Sequence, residues 1–322
     1  AMQDPEVKAI YEAAFIFDGV RIRVDILERS ENKTWNLVEV KSSTAVKDVY
    51  YPDVAVQHYV LEGCGLKIGR AGILHINNQY AYDGQNLDLE SLFSFEDLTE
   101  QTISIQMEIP GQLAELKVML AEDGAPEIRP SRHCHKPYDC EFWDHCTKDM
   151  PEFWVYDISG IGQNKLDELA GMGIQALGDI PTSFPLSQIQ DRIRASVTNQ
   201  QEVISDQLKA ELNDVEYPVH FLDFETIGPA IPRYADARPY QTIPFQWSDH
   251  ILYEDGNLDH REYLCNDDKD PREEFTQTLL DVLGTEGSIV IYTSYETGVL
   301  NSLIEHFPQY ADELQSVIDH FV

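Results

Sequence analysis

The chain has 322 residues, 43% hydrophobic and 25% charged, with 57 acidic against 23 basic side chains and a formal net charge of −34. That length allows one large domain or two to three ordinary ones, and no apolar run is long enough for a transmembrane helix. So acidic a chain is a poor non-specific holder of phosphate. Any contact to nucleic acid must come from local basic spots or from bound metal.

The opening, AMQDPEVKAIYEAAF, lacks the basic and apolar regions of a signal peptide, and a soluble cytoplasmic protein is the expectation. The chain starts on Ala1-Met2 and stops inside the apolar run SVIDHFV, so both ends read as cuts in a longer sequence. The five cysteines are too few for a disulfide framework at this length; three of them cluster, which favours a metal site in a reducing compartment.

In chain order, residues 6–14 read as a short helix or strand entry. FIFDGVRIRVDILER alternates, with Val20, Ile22, Val24 and Ile26 on one side and Arg21, Arg23 and Asp25 on the other. SENKT is a turn and WNLVEVKSS a second strand. VYYPDVAVQHYVLEGCG predicts a helix with a glycine stop at Gly63 or Gly65. A further strand and turn follow in IGRAGILHINNQYAYDG, then a helical pattern over 96–122. Residues 129–151, RPSRHCHKPYDCEFWDHCTKDMP, are irregular. WVYDISGIGQNKLDELAGMGIQALGDIP reads as turn, helix and turn, and 186–212 as polar and helical. A last unit opens at YPVHFLDFETIG, with strands near 219–225, 244–252 and 261–264, a helix near 271–283, the strand SIVIY and the helix TGVLNSLIEHF. The expected domains are 1–150, 151–212 and 213–322, α/β throughout with a helical, cysteine-containing middle.

Three constellations carry chemistry. In VEVKSST, Glu39 and Lys41 lie two apart on a strand and so share a face. A hairpin centred near Asn32 sets Asp25 opposite Glu39, each seven residues away. Opposed carboxylates are unfavourable unless a divalent cation lies between them. Lys41 beside such a site would stabilise phosphate charge or position a water. A solvated strand face with one Glu–Lys pair is the plainer reading.

The second constellation is Cys134, Cys140 and Cys146, spaced Cys-x5-Cys-x5-Cys with His133, His135 and His145 nearby. Three thiolates make most of a metal site, zinc with a histidine among the options, but a closed site needs a fourth ligand. Three unligated thiols are the alternative. The third constellation is Asp223 and Glu225, two apart on an apolar strand and expected to be partly buried, with Glu296 at a later helix N-terminus. Three such acids suit two-metal phosphoryl chemistry; a strand-end ion pair with Arg233 or Arg238 is the alternative.

Asp25, Glu39-Val40-Lys41 and the helix VAVQHYVL, with Gln57 and Tyr59, resemble the RecB-like branch of the PD-(D/E)XK nucleases. The resemblance implies a restriction-endonuclease-like fold, Mg²⁺ or Mn²⁺ on Asp25 and Glu39, a catalytic Lys41 and a supporting Gln57. Glu12 sits where many members carry a further acid. Tyr59 departs from the family's usual helix spacing. Members with an iron–sulfur cluster resemble the cysteine arrangement. They imply a fourth ligand upstream of residue 1, or Cys64 or Cys265 in its place, and no cluster here if that ligand is missing.

ISGIGQNKLDELAGMGIQALGDI resembles a helix-hairpin-helix element, Gly160 and Gly162 at its hairpin, with a plain helical linker as the alternative. Asp223-Phe-Glu225-Thr226 resembles the first motif of DEDD exonucleases, implying an RNase H-like fold. Glu296 stands where that family has an aspartate, and the family's last motifs would follow Val322. The order of all these parts, with DGVRIRVDIL, LVEVKSSTAVKD, LHINNQY, HFLDFETI and RPYQTIPFQWS, resembles an uncharacterised prokaryotic family of unknown function. The expectation is a metal-dependent nuclease acting on nucleic acid, DNA before RNA, in repair or defence. A catalytically silent scaffold that binds nucleic acid or a protein, and a hydrolase of another phosphate ester, are its rivals.

Overall fold

The structure, a computed structural model, describes residues 1–284 and 286–322. It falls into two compact units, one made of residues 1–112 together with 214–322, the other of residues 113–213.

The first unit holds two mixed sheets. One contains β1 (Ala9–Phe17), β2 (Val20–Arg29), β3 (Trp35–Lys41), β4 (Ile68–Ile76) and β5 (Phe93–Asp97), in that spatial order. All neighbours are antiparallel except β3 and β4, which α1 (Tyr50–Gly63) joins as parallel strands. The β2–β3 hairpin has the register expected, with Ile26 opposite Val38 and Leu27 opposite Leu37. α1 packs Val54, Val60 and Leu61 on Leu27, Leu37 and Ile73, all fully buried. It ends as the glycines predict. Leu66 N–H reaches Leu61 O and Gly65 N–H reaches Glu62 O, with Gly65 at φ +86°, the Schellman arrangement that satisfies the last helix carbonyls. α2 (Leu89–Leu92), α3 (Thr99–Gln106) and α4 (Ile109–Leu120) follow the loop after β4.

The expected alternation of β2 holds only to Val24. Ile26 is half-buried, and the core position passes to Leu27. β1 makes the same switch: Phe17 and Phe15 pack inward at one end, but Ile10 does so at the other. Both changes fall at the level of Glu12 and Asp25, between the pairs Tyr11–Ile26 and Ala13–Val24. Glu12 has φ +54°, a left-handed conformation that turns the strand and so breaks its two-residue period.

The second unit carries α5 (Trp143–Thr147), α6 (Gln163–Gly171) and α7 (Gln188–Asn199) around Trp154, Val155, Leu166 and Leu169, followed by α8 (Asp206–Asn213), which buries no residue. The polar helical stretch 186–212 is divided between two helices, α7 and α8. Ser187 and Gln190 make a capping box at the start of α7, and Gln200 in the left-handed region (φ +52°) stops it.

The other sheet of the first unit has the order β8-β7-β6-β9, from β6 (Val219–Ile227), β7 (Ile243–Leu252), β8 (Leu258–Leu264) and β9 (Ser288–Val290). Helices α9 (Arg272–Leu283), α10 (Tyr295–His306) and α11 (Ala311–Asp319) supply Phe275, Leu279, Leu300 and Leu314 to a core with Leu222, Phe224 and Trp247. Loops tie the two sheets: Tyr82 N–H donates to Ala237 O at 3.0 Å, and Asp236 N–H returns to Tyr82 O at 2.8 Å. Among the described residues no helix is long and apolar enough to cross a membrane.

Candidate active site at the end of strand β3

β3 buries Trp35, Leu37 and Glu39 on one face. The two-residue period that drives Leu37 into the core therefore carries Glu39 to its edge, 8% exposed, and aims Lys41 the same way. α1 supplies the facing side chains. Asp53 and Gln57 are four apart, one turn of the same helix face. Lys41 Nζ donates to Glu39 Oε1 and to Asp53 Oδ2, both at 2.7 Å. Gln57 Nε2 donates to Glu39 Oε2 at 2.7 Å. Gln57 Oε1 is buried without a hydrogen-bond partner.

Asp25 joins the same end of the sheet. β2–β3 pairing stops at Ile26–Val38, one step short of Asp25 and Glu39. There Asp25 Oδ2 accepts the Val40 backbone N–H at 2.8 Å. The side chain thus takes over where the ladder stops, and Asp25 stands beside the Glu39–Lys41 segment. Glu12 goes elsewhere: its carboxylate pairs with Arg23 Nε at 2.6 Å on the exposed surface. Tyr59 donates its hydroxyl to Asp18 at 3.2 Å, away from the cluster.

Charge dominates this site. Burial pushes the Glu39 carboxyl above its ordinary range. Hydrogen bonds from Gln57 and Lys41 pull it down, and the charges of Asp53 and Asp25 push it up again. Burial disfavours the Lys41 ammonium, but the hydrogen bonds and charges of Asp53 and Glu39 outweigh it and raise its pKa. Three carboxylates face one fixed cation. Such a surplus favours a further positive charge, and the donors are all oxygens: Asp25, Glu39, Asp53 and the unpartnered Gln57 Oε1. That set suits Mg²⁺ or Mn²⁺ in donor chemistry. It is not drawn together as a coordination shell: among the described residues no three His, Cys, Asp or Glu side chains stand in position to hold a metal ion.

The second acidic set is arranged differently from expectation. Asp223 and Glu225 are exposed, not partly buried, because β6 turns His220, Leu222 and Phe224 inward and leaves 221, 223 and 225 facing out. Glu296 lies in the first turn of α10, 4% exposed, with Oε2 unpartnered. No hydrogen bond or ion pair links it to Asp223 or Glu225 among the described residues. Nor do the two strand acids pair with arginine: Arg233 meets Asp268 at 3.6 Å.

Residues 220–322 match the family model described as Domain of unknown function (DUF2779). The match takes in Asp223, Glu225 and Glu296 and leaves the first sheet outside it. No curated protein and no solved structure matches the chain.

The cysteines are all free. Cys134 is buried, Cys140 half-buried and Cys146 exposed. His135 pairs with Asp139 at 2.6 Å and His133 with the Ser131 hydroxyl. Cys64 and Cys265 direct their thiols to the carbonyls of Ile16 and Asp267.

Asp53 is the site residue that sequence reasoning missed. Its signal was present. It lies one helical turn before Gln57, the residue to which the resemblance gives a supporting role, and so on the same helix face.

Proposed function

We propose that the chain is a metal-dependent nuclease, with a restriction-endonuclease-like first sheet that carries the chemistry and an RNase H-like second sheet. The observation that supports this most is the Glu39–Lys41–Asp53–Gln57 network, half-buried at the edge of the sheet beside Asp25. A Mg²⁺ or Mn²⁺ ion bound there would polarise a phosphoryl oxygen and acidify a water. Asp25 and Glu39 would hold it, with Asp53 and Gln57 Oε1 within the same set of donors. Lys41 has its pKa raised, so at neutral pH it is a fixed cation and not a base. Its role is to stabilise the charge that builds on the phosphate as a P–O bond breaks. Gln57 and Asp53 hold Glu39 and Lys41 in place for that.

The test is incubation with Mn²⁺ and end-labelled single- and double-stranded DNA and RNA, beside Lys41→Ala and Asp223→Ala variants. Lys41→Ala is expected to reduce cleavage at least ~100-fold, the scale of one lost electrostatic stabiliser, with the fold intact by circular dichroism. Undiminished cleavage in that variant, with loss in Asp223→Ala, would move the chemistry to the second sheet, where trimming of 3′ ends through Asp223, Glu225 and Glu296 is the corresponding reading. DNA ahead of RNA, a role in repair or defence, and a prokaryotic cytoplasmic setting belong to the same proposal.

Cys134, Cys140 and Cys146 are proposed as structural ligands of an iron–sulfur cluster or zinc, and no step passes through them. Absorption spectra and metal analysis of the purified chain test this.

A second reading is a catalytically silent nuclease-fold scaffold. It is favoured by the uncollected carboxylates of both sheets and by the −34 charge. A folded chain that binds no Mn²⁺ and cuts nothing would support it.

A further inference from the structure

An open cleft of about 560 Å³ begins where β3 ends, two residues past Lys41. One wall comes from the loop after β3, with Ser43, Thr44 and Lys47, and from Asn78 after β4. The other comes from the β6–β7 loop, with Arg238 and Gln241. Acids outnumber bases by more than two to one in this chain, yet among the described residues no acid lines this cleft. Its two cations, Lys47 and Arg238, make no ion pair among the described residues, and both are exposed. Their charge is therefore available to a ligand, and hydroxyls and amides surround it.

The wall from the β6–β7 loop is held in a strained form. Tyr240 has φ +61°, a conformation that costs a bulky residue about 1–2 kcal/mol. The surroundings fix it. Its N–H donates to Pro229 O at 2.9 Å, and its hydroxyl donates to Ser42 O, the residue next to Lys41. Asp236 and Ala237 are tied back to Tyr82. Strain kept in place by bonds to a neighbouring segment clusters at ligand-holding sites. Here it brings Arg238 to the candidate catalytic end of a sheet almost 200 residues earlier in the sequence.

We propose that this cleft binds the phosphodiester backbone of a single nucleic-acid strand, with Lys47 and Arg238 each holding a phosphate. The DUF2779-matched segment thereby supplies the substrate grip for the site on the first sheet. The chemistry fits: two cations without an ion pair among the described residues, in a cleft otherwise lined by hydroxyls, amides and small side chains, suit phosphate groups. The volume is that of a small-ligand cleft, ~300–1,000 Å³, and suits a short length of one strand better than a duplex. The binding claim stands on the cleft itself; only the cleavage of the bound strand rests on the nuclease reading.

The experiment is fluorescence anisotropy of a labelled single-stranded DNA oligonucleotide, with its unlabelled duplex as competitor, in EDTA and over a range of salt. It compares the full chain with Lys47→Ala, Arg238→Ala, the double variant, and Lys67→Ala as a control cation before β4, outside the cleft. Each cleft variant is expected to weaken binding about three- to tenfold and to reduce the salt slope by about 0.7 for the lost phosphate contact. Lys67→Ala should match the wild type. Melting curves confirm folding, and the charge-keeping Arg238→Lys should recover part of the affinity. An unchanged affinity and salt slope in the double variant, no binding by the wild type, or a duplex that competes more tightly than the single strand would overturn the proposal. Binding that depends on Lys47 and Arg238, without cleavage in Mn²⁺, would sink the nuclease reading and leave the cleft. Cleavage by a double variant with unchanged binding would do the reverse.

Discussion

Glu39 is a carboxylate kept where a folded protein gains nothing from its charge. Its pKa is raised by burial and by Asp53 and Asp25, even with Gln57 and Lys41 bonded to it. An acid whose folded pKa is raised disfavours folding once ionised. The cost is absent below its ordinary value near 4.5 and grows as pH rises through the folded value. Glu39→Gln keeps the shape and removes the charge. It should raise the thermal midpoint at pH 7 to 8, and the gain should fade toward pH 4.5. The same substitution should lose Mn²⁺-dependent cleavage. Stability traded against activity in this direction marks a functional carboxylate. A midpoint that falls at neutral pH would mean that the Lys41 ion pair outweighs burial and that Glu39 is structural.

At the scale of elements, most of the site was legible because it is local. The β2–β3 hairpin has a short polar turn and two alternating strands, which fix the register up to Ile26–Val38; one step further Asp25 stands beside the Glu39–Lys41 segment through its bond to Val40 N–H. α1 announces its end through Gly63 and Gly65. Less legible was the switch of face at Glu12, since nothing in YEAAF demands a left-handed residue. The exposure of Asp223 and Glu225 was open to a strict two-residue count, but the apolar residues around them made the whole strand look buried. The cleft was invisible, because Ser43 and Arg238 come to line it through loops whose spacing carries no periodic signal. The α1 terminus also gives a clean test of local conformation. A Cβ built on Gly65 meets no atom within 4 Å, so at φ +86° the cost of Gly65→Ala is conformational alone. It should lower stability by about 1–2 kcal/mol in chemical denaturation, with an unchanged dependence on denaturant. A larger loss would mean that the turn contacts something further along the chain.

At the scale of the whole molecule, sequence order and spatial order part company. The chain leaves its first sheet, builds a separate helical unit over residues 113–213, and returns to complete the first unit with a second sheet. Each sheet has its own core, one around Leu37 and Val54, the other around Phe275 and Leu300. The ties between them are polar: Tyr82 with Asp236 and Ala237, and Tyr240 with Ser42. If these ties and the surfaces around them make one cooperative body, a cavity cut in either core should lower the same unfolding transition. Leu37→Ala and Leu300→Ala, at fully buried positions, should each cost about 2–5 kcal/mol and shift one calorimetric peak. Leu169→Ala, fully buried in the helical unit, should shift a different peak and leave the first in place. Separate peaks for Leu37→Ala and Leu300→Ala would show that the sheets unfold independently. The cleft between the β3 and β6–β7 loops would then open and close with the contact between them, and Arg238 would reach the strand only in the closed form.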